Sequence, residues 1–422
     1  MINMWIINHS SLPPELGGLN RHYYFTRHLS QMGYDIKIIT SSAIHNTDIN
    51  IIGKADRNTV VDKEFGGVVF TYLKTSGYKG NGLLRIINLM QFPLRLLRKY
   101  KRMGRPDIIY ASSPYPLSAL AAIYIARKLN VPAILEVRDL WPLTIVVLKK
   151  ISSKNPLIRI MFGLEKWMYK NAERIIFTFE GGKDYIEDKG WSDVIDVKKA
   201  EHINNGIDMQ EFAEDANLPV TDTDVLEPDT FKVGYAGSIR LAYGLEQLVD
   251  AARILQQTYK NIGFFIWGDG NYKQELMAKC EQQQIHNVTF KGRVPRKRIP
   301  SLLSKMDVNI ILLDSSCDGT LTRYGSSHNK LFDYLASGRP IITNYQSRYN
   351  LLTRYNCGIV AERPDAEGLA KAITDVFEMT LVEYQRLSEN ARKAARVYDY
   401  RELSKKLHSV VTDVLDSSKQ RT

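Results

Sequence analysis

S-S-H-N-K-L-F-D-Y-L-A-S-G-R-P-I-I, residues 326–342, reads as a helix start, one amphipathic helix, a glycine stop and a buried strand. Ser326 or Ser327 can cap the helix by accepting a hydrogen bond from an otherwise unpaired N–H. Leu331, Phe332 and Leu335 recur at helical spacing and give it a core face. Gly338 ends it, Pro340 forbids resumption, and Ile341-Ile342-Thr343 begins a strand. The first-turn N–H groups then stand beside Lys330, with the Asp333 carboxylate within about one turn. A helix N-terminus plus a lysine suits a diphosphate. A carboxylate at ribose distance can accept both sugar hydroxyls. An ordinary capped core helix fits this stretch equally well, so the rest of the chain has to decide.

At 422 residues the chain is too long for one core and fits two or three domains. Its 44% hydrophobic and 24% charged residues are those of a globular protein. No apolar run approaches the roughly 18 residues of a membrane span, and the start lacks a signal-peptide layout. Cys280, Cys317 and Cys357 lie far apart without ligand spacing. They point to a reducing, cytoplasmic compartment with no disulfide framework and no zinc site. The formal charge of +11 calls for anionic company: nucleotide-sugar phosphates, a membrane surface or nucleic acid.

Working back to the start, the apolar strand 4–8 runs into H-S-S-L-P-P-E-L-G-G-L-N-R-H, then a helix over about 20–32 and a strand over 35–40. That is a parallel β-α-β unit, whose glycine pair Gly17-Gly18 lets backbone N–H groups approach an anion. It does not match G-x-G-x-x-G, so the dinucleotide fingerprint is absent. Further strands are expected at 68–73, 107–111, 133–137 and 174–179. The stretch 82–106 alternates apolar residues with Arg85, Arg95, Arg98, Lys99, Lys101, Arg102 and Arg105, and Pro93 is expected to split it into two helices. Such a segment can lie on anionic lipid or be the solvated face of a packed helix; 149–170 is equally open. The strand A-I-L-E-V ends in R-D-L-W-P, so Glu136, Arg138 and Asp139 crowd a carboxyl edge where ligands of parallel sheets bind. A local Arg138–Asp139 pairing is the alternative.

Residues 202–212 read as a strand and turn closing the first domain, 1–212. The acidic stretch 213–230 reads as a linker, in which the solvated reading of Asp222-Thr223-Asp224 outweighs a metal site. The α/β alternation restarts over 231–395, with strands at 231–236, 263–267, 288–291, 308–313, 340–343 and 358–361. The first of these enters a loop holding Gly237, Arg240 and Gly244, where Arg240 can clamp a phosphate bidentately or stand as an ordinary exposed arginine. Gly268-Asp269-Gly270 closes the second and K-G-R-V-P, with Arg293, the third, both placed where backbone groups can hold a planar base. Residues 396–422 form a last helix, expected to pack back on the first half.

The blocks P-P-E-L-G-G-L-N-R-H, D-I-I-Y-A-S-S-P, E-V-R-D-L-W-P, I-N-N-G-I-D-M-Q-E-F, G-Y-A-G-S-I and N-K-L-F-D-Y-L-A-S-G-R-P-I-I follow one another in the order found in the retaining GT-B glycosyltransferases of family 4. The chain resembles that family over nearly its whole length, in particular the bacterial branch that builds O-antigen and capsule polysaccharide. The resemblance implies two Rossmann-like, doubly wound α/β domains facing a cleft, a first acceptor domain and a second nucleotide-sugar domain. It implies that Asp333 receives the ribose hydroxyls, that Lys330, Arg240 and the helix start at Asn329 hold the diphosphate, and that the Gly17-Gly18 loop closes over phosphates and donor sugar. Glu136, Arg138 and Asp139 become the candidates for catalytic work at the donor or acceptor sugar.

Three positions depart from the family pattern. Gly325 stands where a first glutamate is common, Ser112-Ser113 where a histidine is common, and Tyr243 or a neighbour where a lysine is common.

The expected activity is metal-independent transfer of a hexosyl or N-acetylhexosaminyl group from a UDP-sugar, with retention, to a hydroxyl of a polyprenyl-linked glycan. The nucleotide-sugar is a substrate and no cofactor is needed. The protein would sit in the cytoplasm, peripheral on the inner face of the cell membrane. A nucleotide-sugar epimerase of the same fold and a non-catalytic sugar-nucleotide-binding protein are the alternatives. Nucleic acid is disfavoured, because basic residues are not interleaved with an aromatic platform.

Overall fold

The computed structural model describes residues 1–17, 20–53, 55–80, 82–313 and 319–420. They form two compact units, Met1–Asn204 with Tyr400–Thr422, and Asn205–Asp399. The strands of the first unit are β1 (Ile2–Ile7), β2 (Tyr34–Ser41), β3 (Val60–Phe65), β4 (Val68–Leu73), β5 (Ile108–Ser112), β6 (Ala133–Val137), β7 (Arg174–Phe177) and β8 (Ala200–His202). They lie in the order β3-β4-β2-β1-β5-β6-β7-β8, parallel throughout except for the β3–β4 hairpin. Helices cover the interior strands, which therefore read as unbroken apolar runs instead of alternating ones: Met4 to Ile7 and Ile108 to Ala111 are wholly or almost wholly buried. Strand order reverses between β1 and β5, and the loops leaving those two strands part at the carboxyl edge there.

The second unit has β9 (Phe231–Ala236), β10 (Ile262–Trp267), β11 (Val288–Gly292), β12 (Val308–Ile311), β13 (Ile341–Thr343) and β14 (Gly358–Val360). Its all-parallel order, β11-β10-β9-β12-β13-β14, is the 3-2-1-4-5-6 of a dinucleotide-binding sheet, with the switch point between β9 and β12. Tyr235, Phe264, Ile266, Val308, Ile310 and Ile342 face a core completed by Leu248, Leu255, Leu369 and Ile373 of the helices Leu245–Thr258 and Ala366–Phe377. Each such aliphatic side chain contributes roughly 2 kcal/mol by leaving water.

Several expectations are corrected. Pro93 does not split its segment: Leu83–Lys99 is one helix, kept continuous through the proline because Phe92, Pro93 and Leu96 are all packed inward. The strand near 202 ends at His202, and Asp208 starts a helix, Met209–Ala216, by accepting from the Glu211 N–H. That helix and the short Thr223–Leu226 place most of the acidic stretch inside the second unit. Asp224 there ion-pairs with Lys291 at 2.6 Å, and Asp222 lies 3.9 Å from the same ammonium. The last helix, Tyr400–Lys419, packs on Arg21–Ser30 in the first unit, where Tyr24 stacks on Tyr400.

Candidate active site

At the carboxyl edge of the second sheet the loops leaving β9, β10 and β11 are tied backbone to backbone. Gly237 N–H donates to the Trp267 carbonyl (3.0 Å), Ile239 to Asp269 (2.9 Å) and Gly268 to Gly292 (2.8 Å). A Cβ on Gly268 would sit 1.8 Å from the Gly237 carbonyl oxygen, so this approach admits no side chain. The helix Asn329–Ser337 is fastened to the end of β9 by Tyr334, whose hydroxyl accepts from the Ala236 N–H (3.0 Å) and lies 3.3 Å from its carbonyl.

Lys330 occupies the first turn of that helix. Its Nζ donates to the Tyr235 hydroxyl at 2.8 Å and lies 4.4 and 4.2 Å from the ring centroids of Tyr235 and Tyr243. A Cβ on Gly237 would come within 3.1 Å of it. Among the described residues no carboxylate pairs with this amine, and burial pushes its pKa down to about 7. The N-cap residue, His328, makes no capping bond with its side chain, and burial and Lys330 keep it neutral with its pKa lowered to about 4. This corrects the expected serine cap. Ser327 is occupied by Asn205, which donates its N–H to the hydroxyl and its Nδ2 to the carbonyl, while Ser326 pairs with the Tyr345 hydroxyl. The outcome is a desolvated amine in the first turn of a helix whose N-cap side chain leaves the N–H groups alone, an arrangement that gains from an incoming anion.

Asp333, one turn on, is buried and accepts from Arg296 Nη2 at 2.6 Å through Oδ1. Arg240, Arg293 and Asn329 are exposed on the neighbouring segments. Gly237, Gly268 and Lys330 are thus brought into direct proximity, whereas Asp333 is turned to an arginine that sequence reading passed over. The signal lay in R-V-P-R-K-R, a cationic run leaving a strand at the ligand edge. Gly325, where the family often carries glutamate, has φ +96°, a left-handed backbone that glycine adopts without strain.

In the first unit, Glu136 is completely buried near the end of β6. Oε1 accepts from Arg21 Nε (2.5 Å) and the Tyr110 hydroxyl (2.7 Å), and Oε2 from the Ser112 hydroxyl (2.6 Å) and His22 Nε2 (2.9 Å). Arg21 also donates to the carbonyls of Ile203 and Asn204. His22 Nδ1 meets Asn8 Nδ2 at 3.2 Å, so the neutral Nε2–H tautomer satisfies both of its partners. Burial would raise the Glu136 pKa, but the Arg21 guanidinium and His22 hold it well below the usual range; burial also lowers that of His22. With zero exposure and four donors on its two oxygens, Glu136 organises the switch point instead of facing a substrate. Arg138, half-buried, and Asp139, exposed, remain at the edge. Gly17 ends a short 3₁₀ turn, and Gly18 lies outside the described residues. Arg21 and His22 were missed, although a glutamate inside an apolar strand calls for a buried cation.

These groups set the acid response. The depressed carboxyl of Glu136 stabilises the fold above its ordinary pKa and loses that contribution as pH falls. His9 and His328, each lowered to about 4 with burial as the first cause, favour the unfolded chain as pH drops below 6.5. Both effects run the same way, so the urea midpoint is expected to fall steadily from pH 6.5 to 4; a flat midpoint over that window would contradict the assignments.

Residues 16–211 match the model of Glycosyltransferase Family 4, and residues 223–394 that of glycosyl transferases group 1. Among solved structures, the sucrose-phosphate synthase of Thermosynechococcus elongatus superposes with a TM-score of 0.74 at 17% identity, over 99% of this chain and 100% of that one. A trehalose-6-phosphate protein from E. coli, bound with UDP-2-fluoro glucose, gives 0.72 at 12% identity, over 98% and 99%. Anabaena HepE in complex with UDP and glucose gives 0.66 at 14%, over 98% and 100%. No curated protein sequence matches the chain. At such identities the structural likeness is one of fold: two Rossmann-like parallel-sheet domains of the GT-B type.

Proposed function

We propose that this chain, whose residues 16–211 match the family 4 model and residues 223–394 the group 1 model, is a GT-B glycosyltransferase that transfers a hexosyl or N-acetylhexosaminyl group from UDP to a hydroxyl acceptor with retention. The observation that carries this reading is Lys330, an amine held by two tyrosines in the first turn of its helix and without a carboxylate partner among the described residues. Breaking the glycosyl–phosphate bond leaves negative charge on the diphosphate, and a fixed cation with helix N–H groups stabilises that charge as it develops. Arg240 adds a second cation from the loop after β9. Asp333, steadied by Arg296, offers its other carboxylate oxygen to a ribose hydroxyl. Arg138 and Asp139 contact the donor or acceptor sugar. The UDP assignment is supported by the nucleotides named for the E. coli and Anabaena neighbours.

The acceptor in this reading is a lipid-linked glycan of O-antigen or capsule synthesis, met at the inner face of the cell membrane. No cofactor takes part, and Lys330 with Arg240 serves the diphosphate in place of a metal. Turnover is therefore expected to stay within about twofold in EDTA; a loss restored by Mg²⁺ or Mn²⁺ would refute that part. The reading as a whole is tested by thermal shift with UDP-, GDP- and dTDP-sugars, since a ligand bound by the folded state raises its melting temperature. UDP-sugars are expected to give the largest rise, and NMR of the product should show the donor's anomeric configuration kept. No response to any sugar nucleotide would overturn it.

A further inference from the structure

In the first unit the helices Leu83–Lys99, Pro116–Leu129 and Pro156–Asn171 pack side by side in one layer. Surface helices ordinarily turn apolar residues inward and mixed charges outward. This layer does otherwise. On the first helix Leu83, Ile87, Met90 and Leu94 follow one another at helical spacing and are 71%, 37%, 44% and 43% exposed, while Phe92, Pro93 and Leu96 fill the core side. Leu157 and Ile160 of the third helix are 64% and 61% exposed. Residues 83–106, 116–130 and 143–164 contain no aspartate or glutamate at all, although arginine and lysine recur in each.

The exposed stripe runs on to Arg98, one turn beyond Leu94. Arg98 lines a hollow of 670 Å³ together with Leu97, Tyr100, Lys101 and Tyr124. Lys128 lies 5.5 Å from the Tyr124 ring centroid, and Arg95 carries a buried Nη1 without a hydrogen-bond partner. Among the described residues no acidic side chain pairs with Arg95, Arg98, Lys101 or Lys128. Aliphatic side chains bordered by unopposed cations match one kind of surface, the boundary between head groups and acyl chains of an anionic bilayer. A nucleic acid would have no use for the leucine and isoleucine stripe.

We propose that this helical layer docks the first unit on an anionic phospholipid bilayer, the Leu83–Leu94 stripe entering the acyl boundary and the hollow at Arg98, Lys101 and Tyr124 receiving a lipid phosphate. The contact is interfacial: among the described residues no helix is long and apolar enough to cross a membrane. The inference extends the lipid-linked-acceptor reading by naming the surface that would bring the enzyme to its substrate.

Flotation of the full chain with vesicles tests it. The protein should float with phosphatidylcholine mixed with phosphatidylglycerol and stay behind with pure phosphatidylcholine. Arg98→Glu combined with Lys101→Glu should lower the bound fraction by at least roughly tenfold, each removed charge being worth about fivefold. Met90→Glu combined with Leu94→Glu should abolish flotation. All four residues lie at the surface or on its rim, so melting temperature and UDP-sugar hydrolysis should match the parent chain. Equal flotation of parent and charge-reversal variant, no flotation with the mixed vesicles, or binding abolished by millimolar inorganic phosphate would each overturn the proposal. Hydrolysis of the donor is read separately, so a failure of membrane docking is distinct from a failure of the transfer reaction.

Discussion

Lys330→Met is expected to lower kcat by roughly 10²–10³-fold, the effect of removing one preorganised donor from a developing anion, and at the same time to raise the stability of the second unit. The two effects have one cause. In the absence of ligand the ammonium sits against Tyr235 and Tyr243 with no carboxylate among the described residues to offset its lost hydration. A methionine of similar length fills the same space without that cost, a gain of about 1–3 kcal/mol. The sign with pH is fixed by the depressed pKa. From the ordinary value of 10.5 down to about 7, the unfolded chain takes up a proton that the folded chain declines, so stability is lost as pH falls through that window. The advantage of the methionine variant should therefore be greatest at pH 7 and below, and fade toward pH 10.5. Binding of UDP at pH 8 should be accompanied by proton uptake, measurable by calorimetry in buffers of different ionisation enthalpy. Normal turnover together with an unchanged melting temperature would remove Lys330 from the site.

Glu136→Gln should produce the opposite pattern, with a large loss of stability and retained nucleotide binding. The substitution leaves the Arg21 guanidinium buried without its counter-charge, which costs about 3–5 kcal/mol. It also presents amide hydrogens where the carboxylate accepted from four donors. Urea unfolding of the first unit should shift accordingly, while UDP still protects the second unit, whose residues do not include this cluster. Arg21→Met combined with Glu136→Leu should recover most of the loss, because removing both charges leaves neither one unpaired. Wild-type stability in Glu136→Gln with turnover gone would mean that the carboxylate touches a sugar after all.

Much of the scaffold could be read from neighbouring residues. Apolar runs such as Ile108 to Ala111, the stop at Gly338 followed by Pro340, and the β-α alternation across each half all rest on local dihedral preference and on burial from both faces. Those properties belong to a few consecutive residues, so they survive in a linear text. The placement of Gly237, Gly268 and Lys330 near ligand-side strand ends followed from the same alternation. The β3–β4 hairpin escaped, since β3 is half exposed, largely charged and stabilised by its partner strand more than by its own pattern.

What tertiary structure alone decided is the pairing of charges. Glu136 meets Arg21 across 115 positions of sequence, and Asp333 meets Arg296 across 37. The tyrosines that cradle Lys330 arrive from β9 and the loop after it. Coulomb energy and desolvation depend on distance through space and on the medium between the groups. Spacing along the chain carries neither quantity, so the same sequence that announces two parallel α/β sheets leaves open which of its acids is a buried strut and which of its cations lacks a carboxylate partner among the described residues.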